Sequence, residues 1–179
     1  CTGDWLAFLP EENILSPVPA GRRGIKGNVS TQYAGSLYPL FLQSMSQFNL
    51  RVYGILLNDQ KQVLVSDELI RGAYITKFPG GGLEFGEGTR ECLKREFKEE
   101  MDLEVEVGEH IYTTDYFQLS AFNPQHQIIS IYYFARALEA ITAPLRTKPF
   151  DFDEQQMKVY EATGETETFR LVDWNDFSP

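Results

Sequence analysis

Alternating hydrophobic and polar positions run from about residue 49 to residue 174 and predict a series of β-strands. The predicted strands are 50–57, 63–67, 73–78, 103–107, 111–119, 127–138 and 169–174. Residues 58–61 predict a turn, so the first two strands are expected to pair as a hairpin. The strand at 127–138 is rich in Ile, Tyr and Phe and is expected to lie centrally in a sheet.

Two regions depart from this pattern. Residues 139–168 are acidic, contain two prolines and are predicted to be irregular. Residues 1–44 contain four prolines and five glycines without sustained periodicity, so we expect an irregular N-terminal extension there and one domain over 45–179. Because the chain begins with Cys1 and Met45 precedes the first strand, we interpret Met45 as the natural start, with the leader either an extension or a product of cloning.

A helix is predicted after the glycine-rich loop at 80–88, and its carboxylates recur at Glu96, Glu99 and Glu100. At about 100° per residue, this spacing places all three on one face, within roughly a third of the circumference. Such like charges raise one another's pKa unless a cation lies between them, and a hard divalent cation bound through oxygen meets that need. The adjoining apolar stripe that predicts the core-facing side is Leu93, Phe97 and Met101.

Glutamate-rich helices are common, and pairing of Glu96 and Glu100 with Arg and Lys in water is the ordinary alternative for this run alone. The run belongs to a longer pattern, G-x5-E-x7-R-E-U-x-E-E, in which U is a bulky apolar residue. The matching positions are Gly81, Glu87, Arg95, Glu96, Phe97, Glu99 and Glu100. This pattern resembles the Nudix box, the signature of the Nudix hydrolases. The full motif continues x-G-U, and here Asp102 replaces the glycine, a residue that tolerates the left-handed helix end better than most.

The resemblance extends over about residues 45–179 and implies an α/β (α+β) fold, the Nudix-type α/β/α sandwich with a mixed central sheet. Such domains usually carry a helix after the last strand. Ser178 and Pro179 form a typical helix start, so we expect a C-terminal helix that is missing or truncated. The sheet face left open is expected to be covered by the leader or by another chain, as in a homodimer.

The resemblance also implies hydrolysis of a nucleoside diphosphate linked to another group, by attack of water on phosphorus with Mg²⁺ or Mn²⁺ as cofactor. By the same resemblance, the metal ligands are Glu87, Glu96, Glu99, Glu100 and the carbonyl of Gly80. The implied catalytic residues are Glu96, Glu99 and Arg95. Arg95 is expected to orient a glutamate through a salt bridge, which is also its ordinary structural role.

The catalytic base is not assigned to one residue, because coupled carboxylates share macroscopic pKa values. Glu96 and Glu99 are two candidates. In some family members a later loop supplies the base, and the candidates there are Asp151, Asp153 and Glu154.

Substrate contacts are expected mainly outside the box. Gly81 and Gly82 allow the backbone to approach a phosphate, although glycines are also typical of an ordinary turn. Lys77 is a candidate phosphate contact with surface charge as the alternative, and that alternative is favoured for Arg71. Tyr116 is a candidate for stacking on a base, although aromatic residues in strands more often belong to a core. No residue pattern distinguishes ADP-ribose, dinucleoside polyphosphates, nucleotide sugars and oxidised nucleotides as substrates.

Composition excludes several other classes. The chain of 179 residues, 42% of them hydrophobic, is long enough for one domain with a sizeable core. Its 16 basic and 26 acidic residues give a formal net charge of -10, which disfavours a protein that coats nucleic acid. Two cysteines do not indicate a disulfide framework, two histidines do not indicate a zinc cluster, and no apolar stretch predicts a membrane span. We expect a reducing, cytoplasmic setting.

Three functions are compatible with these features. The expected one is a metal-dependent Nudix pyrophosphohydrolase acting on a small-molecule nucleoside diphosphate derivative. The alternative is a catalytically inactive Nudix-like nucleotide-binding or regulatory module. Such modules typically lose a box carboxylate, whereas this chain keeps all of them. A purely structural acidic domain requires the motif to be a coincidence.

Overall fold

Nine strands in two mixed sheets and two α-helices make up residues 47–176, the part of the chain that this computed structural model describes. The strands are β1 (Gln47–Leu56), β2 (Gln62–Ile70), β3 (Ala73–Lys77), β4 (Gly80–Gly82), β5 (Val105–Thr113), β6 (Gln118–Leu119), β7 (His126–Ala137), β8 (Leu145–Arg146) and β9 (Glu165–Asp173). The helices are α1 (Thr89–Met101) and α2 (Glu154–Thr163), and a 3₁₀ turn (Trp174–Asp176) follows β9. The predicted extension at 1–44 and the helix start at 178–179 lie outside the described residues. None of the described helices has the length and apolar character needed to cross a membrane.

The predicted α+β class with mixed pairing is confirmed, although the strands divide between two sheets. Sheet 1 has the order β4-β1-β7-β5, with β6 beside β7. Strands β1 and β7 run parallel from the pair Gln47 and His126 to the pair Leu56 and Ala135. Strand β7 lies between β1 and β5, which is the inner position predicted from its composition.

Sheet 2 has the order β3-β2-β9-β8. The predicted hairpin between the first two strands is wrong, because β1 and β2 are joined only by an isolated bridge between Leu57 and Val63. Strand β2 pairs along its whole length with β9 instead. The turn itself forms as predicted, and the Asn58 side chain accepts hydrogen bonds from the N–H groups of Gln60 and Gln62. The turn at 58–61 therefore does not make β1 a partner of β2, which pairs with β3 and β9.

Helix α1 packs one face against sheet 1, and its buried residues are Cys92, Leu93, Phe97 and Met101. This burial confirms the predicted apolar stripe. Gly54 of β1 leaves room for the Phe97 ring, since a Cβ at that position would lie 2.7 Å from a ring carbon. Asp102 ends the helix with a left-handed φ of 52°, and its N–H donates to the Lys98 carbonyl. Aspartate thus adopts the conformation expected of the missing glycine.

Residues 139–168 are not irregular, which corrects the prediction. They contain β8, α2 and the start of β9. A capping box begins α2: the Asp153 carboxylate accepts hydrogen bonds from the N–H groups of Gln155 and Gln156, and the Gln156 side chain accepts one from the Asp153 N–H. Gly164 ends the helix with a φ of 82°. Because α2 buries none of its residues, no apolar stripe marks it in the sequence.

Two further strand boundaries differ from the prediction. Residues 80–82, predicted as a loop, form strand β4 and pair antiparallel with β1. The predicted strand at 111–119 is divided into the end of β5 and the short β6. Between them, both the N–H and the hydroxyl of Thr114 bind the carbonyl of Ser130 and end the regular pairing.

Candidate active site

Strand β4 places three glycines between β1 and α1. The carbonyl of Val52 leaves no space for a Cβ on Gly80, whose φ is +131°, so this position requires glycine. A Cβ on Gly81 would overlap the carboxylate of Glu96. The lack of side chains therefore lets the acidic face of α1 lie directly against the backbone of β4.

Arg95 forms salt bridges with three carboxylates of the predicted site. Its guanidinium donates to Glu87 at 2.8 Å, to Glu96 at 2.9 Å and to Glu99 at 3.0 Å. It also donates to the carbonyl of Gly82 at 3.1 Å. The hydrogen bond from Arg95 is the main reason that the pKa of Glu87 falls to about 2. This is the geometry expected of an arginine that orients glutamates.

Glu100 belongs to a second and more buried group, around Lys77. The Lys77 Nζ lies 2.9 Å from Glu68 and 3.5 Å from Glu100, and it donates to the carbonyl of Gly80 at 2.6 Å. The N–H of Gly80 in turn donates to Glu100 at 3.4 Å. These three contacts match the three N–H donors of the Lys77 ammonium group, so its donors are engaged by Glu68, Glu100 and Gly80.

A cluster of three glutamates lies beside Lys77. Carboxylate oxygens of Glu68 on β2, Glu100 on α1 and Glu167 on β9 lie within 4.8 Å of one another. Burial, followed by repulsion from Glu100, raises the pKa of Glu167 to about 8. Burial also raises the pKa of Glu100, although the charge of Lys77 opposes it. One ammonium group therefore faces three carboxylates.

The donor set of this cluster fits a hard divalent cation. Carboxylate and carbonyl oxygens are the ligands that Mg²⁺ and Mn²⁺ prefer, and here they converge from one helix and both strands of a β-ladder. A cation among them would favour the ionised forms that burial and mutual repulsion now disfavour. The cluster can therefore hold a metal ion in exchange for a proton.

Comparison with known proteins gives the family. A model of the NUDIX domain matches residues 47–177, which is more than half of the chain. The chain belongs to the Nudix family. Because the Nudix box is complete at its charged positions, it is a Nudix hydrolase that acts on phosphoric anhydride bonds.

Solved structures agree with this Nudix fold. A NUDIX hydrolase from Nitrosomonas europaea is 19% identical with a TM-score of 0.51, and the alignment covers 72% of this chain and 74% of that chain. A MutT NUDIX hydrolase from Burkholderia pseudomallei is 16% identical with a TM-score of 0.53, and the alignment covers 74% of this chain and 88% of that chain. No curated protein matches the chain.

The Nudix box residues occupy two neighbouring groups instead of one. Glu96 lies against Gly81 and is held by Arg95, whereas Glu100 lies against Gly80 and faces Lys77. Successive turns of α1 thus meet successive glycines of β4. The helical spacing predicted a single acidic face on α1. In the structure that face is divided, because Arg95 binds Glu96 and Lys77 faces Glu100.

Two site residues, Glu68 and Glu167, were missed by the sequence analysis. The predicted second strand ended at residue 67, one position before Glu68. Glu167 fell in the segment predicted to be irregular. The pairing of β2 with β9 that brings them together is non-local, so nothing in either segment alone indicates the contact.

Other predicted site residues form no direct contact with the glutamate cluster among the described hydrogen bonds and ion pairs, although Gln156, which bonds Asp153, also donates to the Glu167 carbonyl. Asp153 caps α2 and pairs with Arg146, and its neighbours Asp151 and Glu154 are exposed. Arg71 is exposed in the turn between β2 and β3. Tyr116 lies between β5 and β6 with 52% of its surface exposed.

Proposed function

We propose that this Nudix hydrolase is a divalent-metal-dependent pyrophosphohydrolase that cleaves a nucleoside diphosphate linked to another group by attack of water on phosphorus. The observation that carries the proposal is the convergence of Glu68, Glu100 and Glu167 beside β4. Three carboxylates this close destabilise a metal-free protein. Mg²⁺ or Mn²⁺ would balance their charge.

We assign metal binding to the two neighbouring carboxylate groups. The more buried group, Glu68, Glu100 and Glu167, supplies ligands from three elements, and the group around Arg95 supplies ligands beside it. The proposed ligands are Glu68, Glu87, Glu96, Glu99, Glu100, Glu167 and the carbonyl of Gly80. Bound metal supplies an acidified water and neutralises charge on the diphosphate.

The chain's own residues would position the reactants. Arg95 holds Glu96 and Glu99 at hydrogen-bonding distance, which limits the orientations that their carboxylates adopt. Gly81 and Gly82 expose backbone that a phosphate can approach without meeting a side chain. Lys77 pairs with Glu68 and Glu100, so we assign it to charge balance at the metal site instead of to phosphate contact.

The distal part of the substrate is assigned to the opposite side of sheet 1 from α1. Tyr53, Tyr132 and Tyr112 form a row there across β1, β7 and β5, with ring centroids 5.5 and 6.4 Å apart. Tyr116 lies in the loop between β5 and β6, with 52% of its surface exposed. An exposed aromatic ring in that position is suited to contact a base or another planar group.

Product release from a panel of compounds tests the proposal. The panel contains ADP-ribose, nucleotide sugars, dinucleoside polyphosphates and nucleoside triphosphates, each with Mg²⁺, with Mn²⁺ and with a chelator. We expect metal-dependent cleavage of one class, reduced by orders of magnitude in Glu100→Gln. The matched control is Glu106→Gln, because Glu106 is an exposed glutamate paired with Arg136 on the surface.

Two results would contradict the proposal. Turnover that is equal in Glu100→Gln and the wild type would remove Glu100 from the metal site. No cleavage of any compound, together with a metal-dependent rise in Tm with one of them, would identify a nucleotide-binding module instead of an enzyme.

A further inference from the structure

Arg51 on β1 is a cation with free hydrogen-bonding capacity near the glutamate cluster. Val52 and Leu56 are buried towards α1, and Gly54 faces the Phe97 ring there. Since side chains alternate along a strand, Arg51 and Tyr53 project from the opposite face of sheet 1.

Only one nitrogen of the Arg51 guanidinium, Nε, forms a hydrogen bond with another of the described residues. Its Nε donates to the Tyr53 hydroxyl at 2.7 Å, and its Cζ lies 5.8 Å from the centre of the Tyr53 ring. Within residues 47–176, Arg51 forms no ion pair, and its two terminal nitrogens have no hydrogen-bond partner. Every fully buried side-chain nitrogen and oxygen of these residues has a partner. Arg51 is partly exposed, so a ligand can reach part of its side chain.

The Tyr53 ring lies near both Arg51 and Lys77, the cation of the glutamate cluster. The Lys77 Nζ lies 5.9 Å from the centre of the Tyr53 ring and contacts both Glu68 and Glu100. Burial lowers the pKa of Arg51, but Tyr53 and the charges of Glu68 and Glu96 outweigh burial and raise it.

The position of Arg51 is fixed by the sheet as well as by Tyr53. In the antiparallel pairing of β1 with β4, Arg51 lies opposite Gly82 and Tyr53 lies opposite Gly80. Both side chains therefore flank the glycine strand along which the carboxylate groups are arranged. Because Gly80 also donates to Glu100, a diphosphate with one phosphate at the glutamate cluster would extend along this strand towards Arg51.

We propose that Arg51, oriented by Tyr53, binds the second phosphate of a diphosphate substrate, an inference that rests on the proposed function. A guanidinium presents parallel N–H donors that match two phosphate oxygens. Lys77, which the sequence analysis named as a candidate phosphate contact, has its donors engaged by the carboxylates and by Gly80. Lys77 and Arg95 are both paired with carboxylates, whereas Arg51 forms no ion pair with any of residues 47–176.

Binding of methylenediphosphonate, a diphosphate analogue that water does not cleave, tests this role. Isothermal titration calorimetry in the presence of Mg²⁺ compares the wild type with Arg51→Gln and Arg51→Lys. We expect binding to weaken about 10- to 100-fold in Arg51→Gln, the loss of a charge-assisted hydrogen bond. A smaller loss is expected in Arg51→Lys, which keeps the charge and loses the paired donors. The matched control is Arg136→Gln, at an exposed arginine, which should bind as the wild type does.

A double-mutant cycle separates binding from a structural role. Tyr53→Phe removes only the hydroxyl that orients Arg51, so it should weaken binding less than Arg51→Gln does. The same change in an Arg51→Gln background should have no further effect. Additive losses would contradict orientation of Arg51 by Tyr53, and they would be expected if both changes merely loosen the sheet.

The outcomes distinguish this inference from the proposed function. If Arg51→Gln binds the diphosphate as the wild type does while Glu100→Gln abolishes Mg²⁺-dependent binding, the role of Arg51 is wrong and the metal site stands. If the wild type does not bind the analogue with Mg²⁺, the role of Arg51 is also wrong, and the compound panel alone decides the proposed function. For a cleaved substrate, the expected signature of Arg51→Gln is a KM raised more than kcat is lowered.

Discussion

Glu68 on β2 and Glu167 on β9 lie directly opposite each other in the antiparallel ladder of sheet 2. Like charges at such positions destabilise a sheet, and Glu100 adds a third carboxylate from α1. Lys77 offsets part of the repulsion, and the raised pKa of Glu167 keeps a proton on its carboxyl at neutral pH. This arrangement costs stability, which supports the proposal that the three glutamates bind a metal ion.

The metal-free protein is expected to lose stability as the pH rises from about 5 to about 8. Because the pKa of Glu167 rises from 4.5 to about 8 on folding, the folded chain holds a proton that the unfolded chain has already released. This stabilising contribution is complete below pH 4.5 and is lost as the pH approaches 8. The slope is at most about 1.4 kcal/mol per pH unit. Thermal unfolding in chelator across this range measures it.

Two variants test the source of that slope. Glu167→Gln should remove most of it, whereas Glu165→Gln, at an exposed position of the same strand, should retain it. The raised pKa of Glu100 acts in the same direction and accounts for a residual slope. Wild-type stability that increases with pH over this range would contradict the raised pKa of Glu167.

Gly81→Ala should weaken metal binding and leave the fold intact. A methyl group at Gly81 would overlap the carboxylate of Glu96, so Glu96 must move away from its place beside β4 and Arg95. We expect at least about a tenfold loss of Mn²⁺ affinity, measured by electron paramagnetic resonance titration. Gly82→Ala is the comparison, because a methyl group there meets no atom within 4 Å. Equal Mn²⁺ affinities in the two variants would show that Glu96 does not contribute.

Phe97→Ala should cost about 3–5 kcal/mol of unfolding free energy. The Phe97 ring is fully buried and packs over Gly54, so its removal leaves a cavity between α1 and sheet 1. The control is Phe85→Ala, since Phe85 is fully exposed and its loss should change the free energy by less than about 0.5 kcal/mol. Urea unfolding of both variants provides the measurement. A small effect at Phe97 would mean that the cavity collapses.

Asp67→Ala should destabilise the fold by about 3–5 kcal/mol, because it leaves a partly buried arginine without its partner. The Asp67 side chain is completely buried and accepts hydrogen bonds from Arg170 at 2.6 Å and from Thr76 at 2.6 Å. Asp59→Ala, in the exposed turn before β2, is the matched control. Chemical denaturation distinguishes the two. A loss of activity in Asp67→Ala without a loss of stability would place Asp67 in the site instead.

Features that depend on neighbouring residues could be predicted from the sequence. The apolar stripe of α1 follows from helical periodicity, and the turn at 58–61 follows from side-chain chemistry. The left-handed Asp102 follows from its place at the end of the box helix. In each case the residues that decide the structure lie within about one turn or one strand of the feature.

Features that depend on distant partners could not be predicted. Glu68 follows the end predicted for its strand, which pairing with both β3 and β9 extends to residue 70. Only the distant β9 brings Glu167 opposite Glu68. The division of the box carboxylates depends on Lys77, which a different strand brings to Glu100. Helix α2 has both of its caps in the sequence, but it buries no residue and so lacks the periodic signal that identifies a helix.

The parallel pairing of β1 with β7 has a consequence for the newly made chain. Protein synthesis delivers β1 first, and its partner leaves the ribosome only after α1 and β5 have been completed. Until then the apolar residues of β1 have no strand beside them on that edge and are available to chaperones or to other nascent chains. Folding yield during translation should therefore depend on how quickly the segment up to residue 137 is completed.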